Sequence, residues 1–161
     1  MRNEQEVNRV IEQYGDMVLR LCMVYLKNHS DAEDIFQTVF LKYAISSRGF
    51  DSAEYEKAWL IRVTANACKD HLKSFFRNRT VPLENILEDV QEIDREQYEV
   101  LEAVLTLPQQ YREVIYLHYY EGYTAAEIGG ILKKNPNTVY THLSRAKELL
   151  RNSLGGALHG K

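Results

Sequence analysis

Apolar positions along the first quarter of the chain recur at spacings of three and four. Val7, Val10, Ile11, Tyr14, Val18, Leu21, Cys22 and Tyr25 fall on one face of a helix. Gly15 interrupts that face at a cost of about 1 kcal/mol, which a packed face can absorb. Asn28 and His29 break the pattern. Ser30 followed by Glu33 reads as a capping box, in which each side chain satisfies the other residue's amide. A second helix then carries Ala32, Ile35, Phe36, Val39, Phe40 and Tyr43, and fails at the turn-like stretch 46–49. Asp51, with Glu54 three residues on, is expected to cap a third helix from about Ala53 to Phe76, with Tyr55, Trp59, Val63, Ala67 and Phe75 along it.

The strong period is lost between about Asn78 and Asp94, where Pro82 sits, and returns in four shorter segments. The first carries Val100, Leu101, Val104 and Leu105 and stops at Pro108. The next carries Tyr111, Val114, Ile115 and His118 and ends at Gly122. Thr124 and Glu127 form a second capping box, opening a helix of about ten residues that ends at Lys133-Lys134. Asn135 then suits an N-cap and Pro136 the first helical position of a last helix, which carries Val139, Leu143, Ala146, Leu149 and Leu150 and stops before Gly155-Gly156. No segment alternates as a strand does. The pattern predicts an all-α chain of two small helical domains joined by a flexible linker, with 1–78 as the first domain, 79–94 as the linker and 95–161 as the second.

Charge sharpens this division. The formal net charge of −3 argues weakly against a nucleic-acid partner, but the distribution matters more. From Glu84 to Glu102 there are eight acids against Arg95 alone, so the linker is acidic. From Ile131 to Arg151 five bases face one acid, and from Asn66 to Thr80 four bases face Asp70. Two basic surfaces thus flank an acidic connector. The two cysteines, Cys22 and Cys68, stand in unrelated contexts with no paired motif, as in a reducing cytoplasm. The opening residues are polar and do not read as a secretory signal, and no apolar run approaches the roughly 18 residues a membrane span needs.

The most informative segment is Thr124 to Leu143. A short capped helix, a tight turn and a second capped helix make a helix-turn-helix, whose second helix enters the major groove of DNA. Ile128, Ile131 and Leu132 supply the inner face of the first helix, and Val139 and Leu143 that of the second. Gly129 stands where the two helices cross. Asn137, Thr138, Tyr140, Thr141, Ser144 and Arg145 are left pointing outward near the positive end of the helix dipole, which favours phosphate. The basic stretch at the end of the third helix, with Lys69 and Lys73 and with Trp59, Phe75 and Phe76 in or near it, has the aromatic and cationic content that single-stranded nucleic acid requires. Those aromatics read first as core and second as base platforms.

These residues together resemble the extracytoplasmic-function class of bacterial sigma factors. The resemblance covers about residues 5 to 152. Residues 31–42, DAEDIFQTVFLK, look like the family's DAEDxxQExF helix, and 57–72, KAWLIRVTANACKDHL, like its AWLxRIAxNxxxD stretch. LPQQYREVI at 107–115, YEGYTAAEI at 120–128 and NTVYTHLSRAK at 137–147 are similar to its C-terminal region. All of these in one order and spacing are highly specific.

The resemblance implies a region-two domain followed by a region-four domain. It places Asp34, Ile35, Gln37, Thr38, Phe40 and Leu41 on the polymerase clamp helices, with Thr38 standing where the family usually has Glu. Phe36 and Val39 read as core of the same helix. The loop from Ser46 to Ser52 corresponds to the one that accepts a base flipped from the minus-ten element. Arg48 and Phe50 are the candidates there, Phe50 being equally well read as an anchor of the loop to the core. Arg62, Asn66 and Lys69, with Lys73 beyond them, stand along the opened strand. Tyr140, Thr141 and Arg145 stand at positions that contact the minus-thirty-five element. Lys133, where the family has a small residue, is placed as a phosphate contact at some backbone cost.

The implied function is that of a non-enzymatic factor that takes core RNA polymerase to promoters. It grips duplex DNA with one module and melted single-stranded DNA with the other. The implied partners are core polymerase, promoter DNA and an anti-sigma protein. No cofactor, metal or small-molecule substrate is expected, and no direct membrane insertion. The expected location is the cytoplasm, at the nucleoid or held at the membrane by the anti-sigma protein. A stand-alone dimeric regulator would share the helix-turn-helix but not the DAED helix or the stretch from Trp59 to Leu72. An enzyme is disfavoured because the five histidines are scattered and no glycine-rich phosphate loop or nucleophile motif appears.

Overall fold

The computed structural model describes residues 1–75 and 102–154, and all regular structure among them is helical. The acidic stretch as far as Glu99, the aromatic Phe76, the bases Arg77 and Arg79, and Gly155-Gly156 lie outside the described residues. The chain divides into two compact units, Met1–Thr80 and Val81–Lys161.

The first unit is a bundle of three helices that all pack on one another: α1 (Glu4–Leu26), α2 (His29–Ile45) and α3 (Ala53–Phe75). Asn3 caps α1 by accepting from the Glu6 amide. The helix ends where Lys27 takes a left-handed conformation with its amide on the Met23 carbonyl. Val10, Val18, Leu21 and Cys22 of α1, Val39 and Tyr43 of α2, and Leu60, Ile61 and Cys68 of α3 are fully enclosed. Gly15 lies where α1 faces α2: a Cβ there would stand 3.5 Å from the Phe36 ring, an ordinary van der Waals contact.

Two helix starts differ from the expectation. Asn28, not Ser30, caps α2, its side chain accepting from the Asp31 amide at 2.8 Å. Glu33 instead pairs with His29 at 2.9 Å. At α3 the Ser52 hydroxyl, not Asp51, accepts from the Tyr55 amide at 3.3 Å. Both shifts have one cause: any Asx or Ser side chain at the right offset can satisfy a first-turn amide, and packing decides among neighbouring candidates.

Among the described residues of this bundle one ionisable carboxylate is buried. Glu56, 7% exposed, accepts from the Tyr43 hydroxyl at 2.8 Å and pairs with Arg9 at 3.2 Å. A buried carboxylate without such partners would cost several kcal/mol. Burial first, and then the hydrogen bond to Glu56, push the Tyr43 phenol up to about 12.

In the second unit residues 102–105 are helical and bury Ala103 and Leu105. Then follow α4 (Gln109–Ile115), a π-helical turn (Tyr116–Tyr120), α5 (Ala125–Leu132) and α6 (Pro136–Leu154). Both α4 and α5 pack on α6. Val114, Leu117, Ile128, Val139 and Ala146 form the sealed centre. The π turn continues the helix to Tyr120, just short of the expected end at Gly122, and the Tyr116 hydroxyl donates to Glu121 at 2.6 Å across it.

Candidate polymerase and nucleic-acid surfaces

The six residues assigned to polymerase docking do not share one surface. Asp34, Gln37 and Leu41 are exposed along α2, and Thr38 is half-buried with its hydroxyl donating to the Asp34 carbonyl at 3.1 Å. Ile35 and Phe40, 8% and 4% exposed, belong to the core instead. The period explains it: Ile35 and Phe40 share the helical face of Ala32, Val39 and Tyr43, while Gln37 and Leu41 lie on the opposite stripe. In the free chain Ile35 and Phe40 thus keep their side chains inside the bundle. One turn beyond Leu41 the stripe continues with Ile45, a residue the sequence reading did not single out. Both leave more than half of their surface in solvent, at 63% and 61%.

The loop between α2 and α3 frames a shallow depression lined by Arg48, Gly49, Phe50, Asp51, Tyr55, Ala58, Trp59 and Arg62. Phe50 stacks parallel to Tyr43 at 6.5 Å and meets Trp59 edge-on at 5.7 Å. It anchors the loop to the bundle while one edge stays in the depression. Trp59 likewise packs against Tyr43 at 6.0 Å. Tyr55, read from the sequence as part of an apolar stripe, is 65% exposed and forms a wall of the depression. Its place one turn before Trp59 was the available signal. Arg62 lines the same depression. Farther along α3, Asn66 and Lys73 are exposed, and Lys69 is half-buried with its ammonium 5.8 Å from the Tyr25 ring centre.

In the second unit the Thr124–Glu127 capping box forms with both bonds in place. The α5–α6 turn is tight because Lys133 adopts a left-handed conformation, φ 57°, and the Lys134 amide reaches back to the Gly129 carbonyl at 2.8 Å. Asn135 accepts from the Asn137 amide at 2.8 Å at the start of α6. Val139 and Leu143 turn inward, while Asn137, Thr138, Tyr140, Thr141, Ser144 and Arg145 are all exposed. Tyr140, Thr141, Ser144 and Arg145 share one open surface with Glu148. Lys133 is exposed. Lys134 is not a free surface cation: it pairs with Glu113 of α4 at 2.5 Å. The inward side of α6 also holds His142, edge-on to Tyr111 at 5.3 Å, whose pKa is lowered by burial and then by Lys134.

Two family models match, and they fall one on each unit. "Sigma-70 region 2" covers residues 10–78 and "Sigma-70, region 4" covers 97–150. The RNA polymerase sigma factor SigV of Bacillus subtilis is 32% identical, over 84% of this chain and 82% of its own length. The chain belongs to the sigma-70 family, in its extracytoplasmic-function class. It is also 27% identical to the ECF RNA polymerase sigma factor SigW of the same organism, over 90% of this chain and 87% of that one. Two solved structures share the fold. The sigma factor RpoE of Bartonella quintana, solved with the anti-sigma factor NepR, gives a TM-score of 0.76 at 18% identity over 94% of this chain and 98% of that one. CnrH, solved with the cytosolic domain of CnrY, gives 0.70 at 20% identity over 96% and 90%. This sigma factor therefore directs RNA polymerase to promoters, and the chemistry of transcription belongs to the polymerase. Among its described residues no helix is long and apolar enough to cross a membrane.

Proposed function

We propose that the sigma factor divides its work among three surfaces. The exposed stripe of α2, with Asp34, Gln37, Thr38 and Leu41, docks on core polymerase. The depression framed by Arg48, Phe50 and Arg62 takes a base of the melted minus-ten strand, and Asn66, Lys69 and Lys73 follow that strand along α3. A flipped base costs a few kcal/mol of unstacking, which the pocket returns through stacking and edge contacts. Lys133, Asn137, Thr138, Tyr140, Thr141, Ser144 and Arg145 read and position the minus-thirty-five duplex. Domain limits of 1–78 and 95–161, with an acidic tether over 79–94, let both modules engage one promoter and raise the effective concentration of the second.

The observation that carries this reading is the face of α6. Polar and cationic side chains stand together on its N-terminal half with the exposed Tyr140, behind a tight turn, while Val139 and Leu143 of that half are turned inward. That is the disposition a major-groove helix needs, with phosphate contacts setting register and a few side chains reading bases. The inferred regulator is an anti-sigma protein that covers the polymerase- or DNA-binding faces, as the sigma factor RpoE is solved with the anti-sigma factor NepR. The inferred site of action is the cytoplasm, at the nucleoid or held at the membrane by that inhibitor. The buried free thiols of Cys22 and Cys68 suit a reducing compartment.

Promoter binding by the reconstituted holoenzyme tests the reading. Arg145→Ala is expected to weaken binding to the cognate duplex by about 1–3 kcal/mol and to relax preference at one position. Equal loss on every duplex would make Arg145 a phosphate contact, and no association of the wild-type chain with core polymerase would remove the reading altogether.

A further inference from the structure

We propose that Arg2 is a positioning residue for the base pocket. It clasps the 46–52 loop onto the bundle and thereby sets which base the pocket accepts. This rests on the reading of that loop as the capture site for the melted strand.

Arg2 precedes α1, yet its side chain is only 9% exposed. Its main-chain amide donates to the Ala44 carbonyl at 2.8 Å, fixing the segment against the end of α2. From there the guanidinium reaches three places. Nε donates to the Tyr43 carbonyl at 3.0 Å, Nη1 to the Glu6 carboxylate at 3.1 Å, and Nη2 to the Arg48 carbonyl within the loop. Its plane also lies over aromatic rings, 4.1 Å from the Tyr43 centre and 5.5 Å from that of Phe50. One side chain thus joins the first turn of α1, the last turn of α2, the loop backbone and the aromatic that anchors the loop.

Each of these contacts has a physical reason. A cation at the C-terminal end of α2 complements the negative end of that helix and satisfies carbonyls the helix leaves open. A planar fork can serve several acceptors at once, which an ammonium cannot. The loop is tied at its two ends, by the Ser46 amide on the Lys42 and Tyr43 carbonyls and by the Ser52 carbonyl under the Glu56 amide; between them the Arg48 amide rests on the Ser46 hydroxyl at 3.1 Å, and a Cβ at Gly49 would meet nothing within 4 Å. Holding the Arg48 carbonyl from the bundle side leaves the exposed Arg48 side chain at the mouth of the depression. A loop ordered before the base arrives does not charge its ordering to binding, and a pocket of fixed shape discriminates where a mobile one adapts.

The test uses the full chain with core polymerase and a pool of single-stranded DNA randomised over the minus-ten region. Holoenzymes carrying wild-type, Arg2→Ala or Arg2→Lys sigma factor are compared. Base preference at the captured position is read by sequencing the bound fraction, and amide exchange over residues 46–52 is measured in parallel. Wild type is expected to prefer one base. Arg2→Ala is expected to compress that preference by about tenfold with faster loop exchange, since small misplacements carry large penalties at a positioned site. Arg2→Lys should restore only part of it, and affinity for a duplex minus-thirty-five fragment should not change. An unaltered preference in Arg2→Ala overturns the proposal. So does equal weakening on all bases with a lowered unfolding midpoint, which would make Arg2 a structural residue only. A wild-type holoenzyme with no preference at all takes down the capture-site reading itself, and the Arg2 proposal with it.

Discussion

Lys134 Nζ lies 2.5 Å from Oε2 of Glu113, whose side chain is 1% exposed. This pair ties the α5–α6 turn to α4, so the presentation of α6 depends on an ion pair inside the unit. Removing the ammonium leaves a carboxylate in a place water does not reach. Lys134→Ala is therefore expected to destabilise the second unit by about 3 kcal/mol, the low end for a broken buried pair because Lys134 is itself partly exposed. Glu113→Leu with Lys134→Met should recover most of that loss. Amide exchange over α4 to α6 in the full chain reads both outcomes, and Lys133→Ala should leave exchange nearly unchanged.

Gly129 and Gly130 are neighbours on α5 with opposite demands. A Cβ on Gly129 would stand 2.7 Å from the Lys134 carbonyl oxygen, a backbone atom with little room to move. A Cβ on Gly130 meets nothing within 4 Å. Gly130→Ala is expected to stabilise the unit by up to about 1 kcal/mol through helix propensity alone. Gly129→Ala should lose that gain and a further 1–3 kcal/mol or so through overpacking, and should weaken duplex binding by displacing α6. Thermal unfolding and duplex titration of the two variants side by side check the contrast.

Much of this was legible in the sequence because apolar spacing and caps are local signals. The Thr124–Glu127 box, Asn135 ahead of Pro136, Gly129 at the crossing and the outward polar face of α6 each follow from residues a few positions apart. What escaped depends on contacts distant in the chain. Nothing near Lys134 distinguishes it from Lys133, because Glu113 lies 21 residues away. Nothing near Arg2 announces that it serves Arg48, 46 residues on. Phe40 and Leu41 illustrate the third limit. Adjacent apolar residues on a helix point about 100° apart, so a motif match to both does not put both on one surface.

The α2 stripe yields a prediction that separates docking from folding. Leu41 and Gln37 are exposed, so Gln37→Ala with Leu41→Ala should leave the unfolding midpoint nearly unchanged. The pair should weaken association with core polymerase by about 2 kcal/mol, as expected for losing an apolar anchor and a hydrogen bond at an interface. Phe40→Ala should instead cost about 3–5 kcal/mol of stability, as a large-to-small change in a core. Calorimetry on the free protein and polymerase titration together resolve the two.

His142 ties stability to pH. Its ring sits against Tyr111, with Nδ1 buried and without a hydrogen-bond partner among the described residues. Burial and the positive charges of Lys134 and Arg145 lower its pKa below 6.5, and Glu113 offsets them only in part. The folded protein thus binds the proton less readily than the unfolded chain. The contribution is fully present above about pH 6.5 and is lost as pH falls through the lowered value. The second unit should lose protection against exchange as the pH falls from about 7.5 to 5.5, with that slope flattened in His142→Leu.

Lys133 sets binding against stability. Its left-handed backbone costs an L-residue roughly 1–2 kcal/mol relative to glycine, and its side chain is exposed beside the N-terminal half of α6. A glycine there would relieve the backbone and remove a cation. Lys133→Gly is expected to raise the unfolding midpoint of the second unit while weakening duplex binding by the same factor on cognate and unrelated sequences. The slope of log affinity against log salt should fall by about one, the signature of a single lost phosphate contact. A more stable variant whose affinity and salt slope match wild type would place Lys133 away from the phosphates and leave its backbone strain without a return in binding.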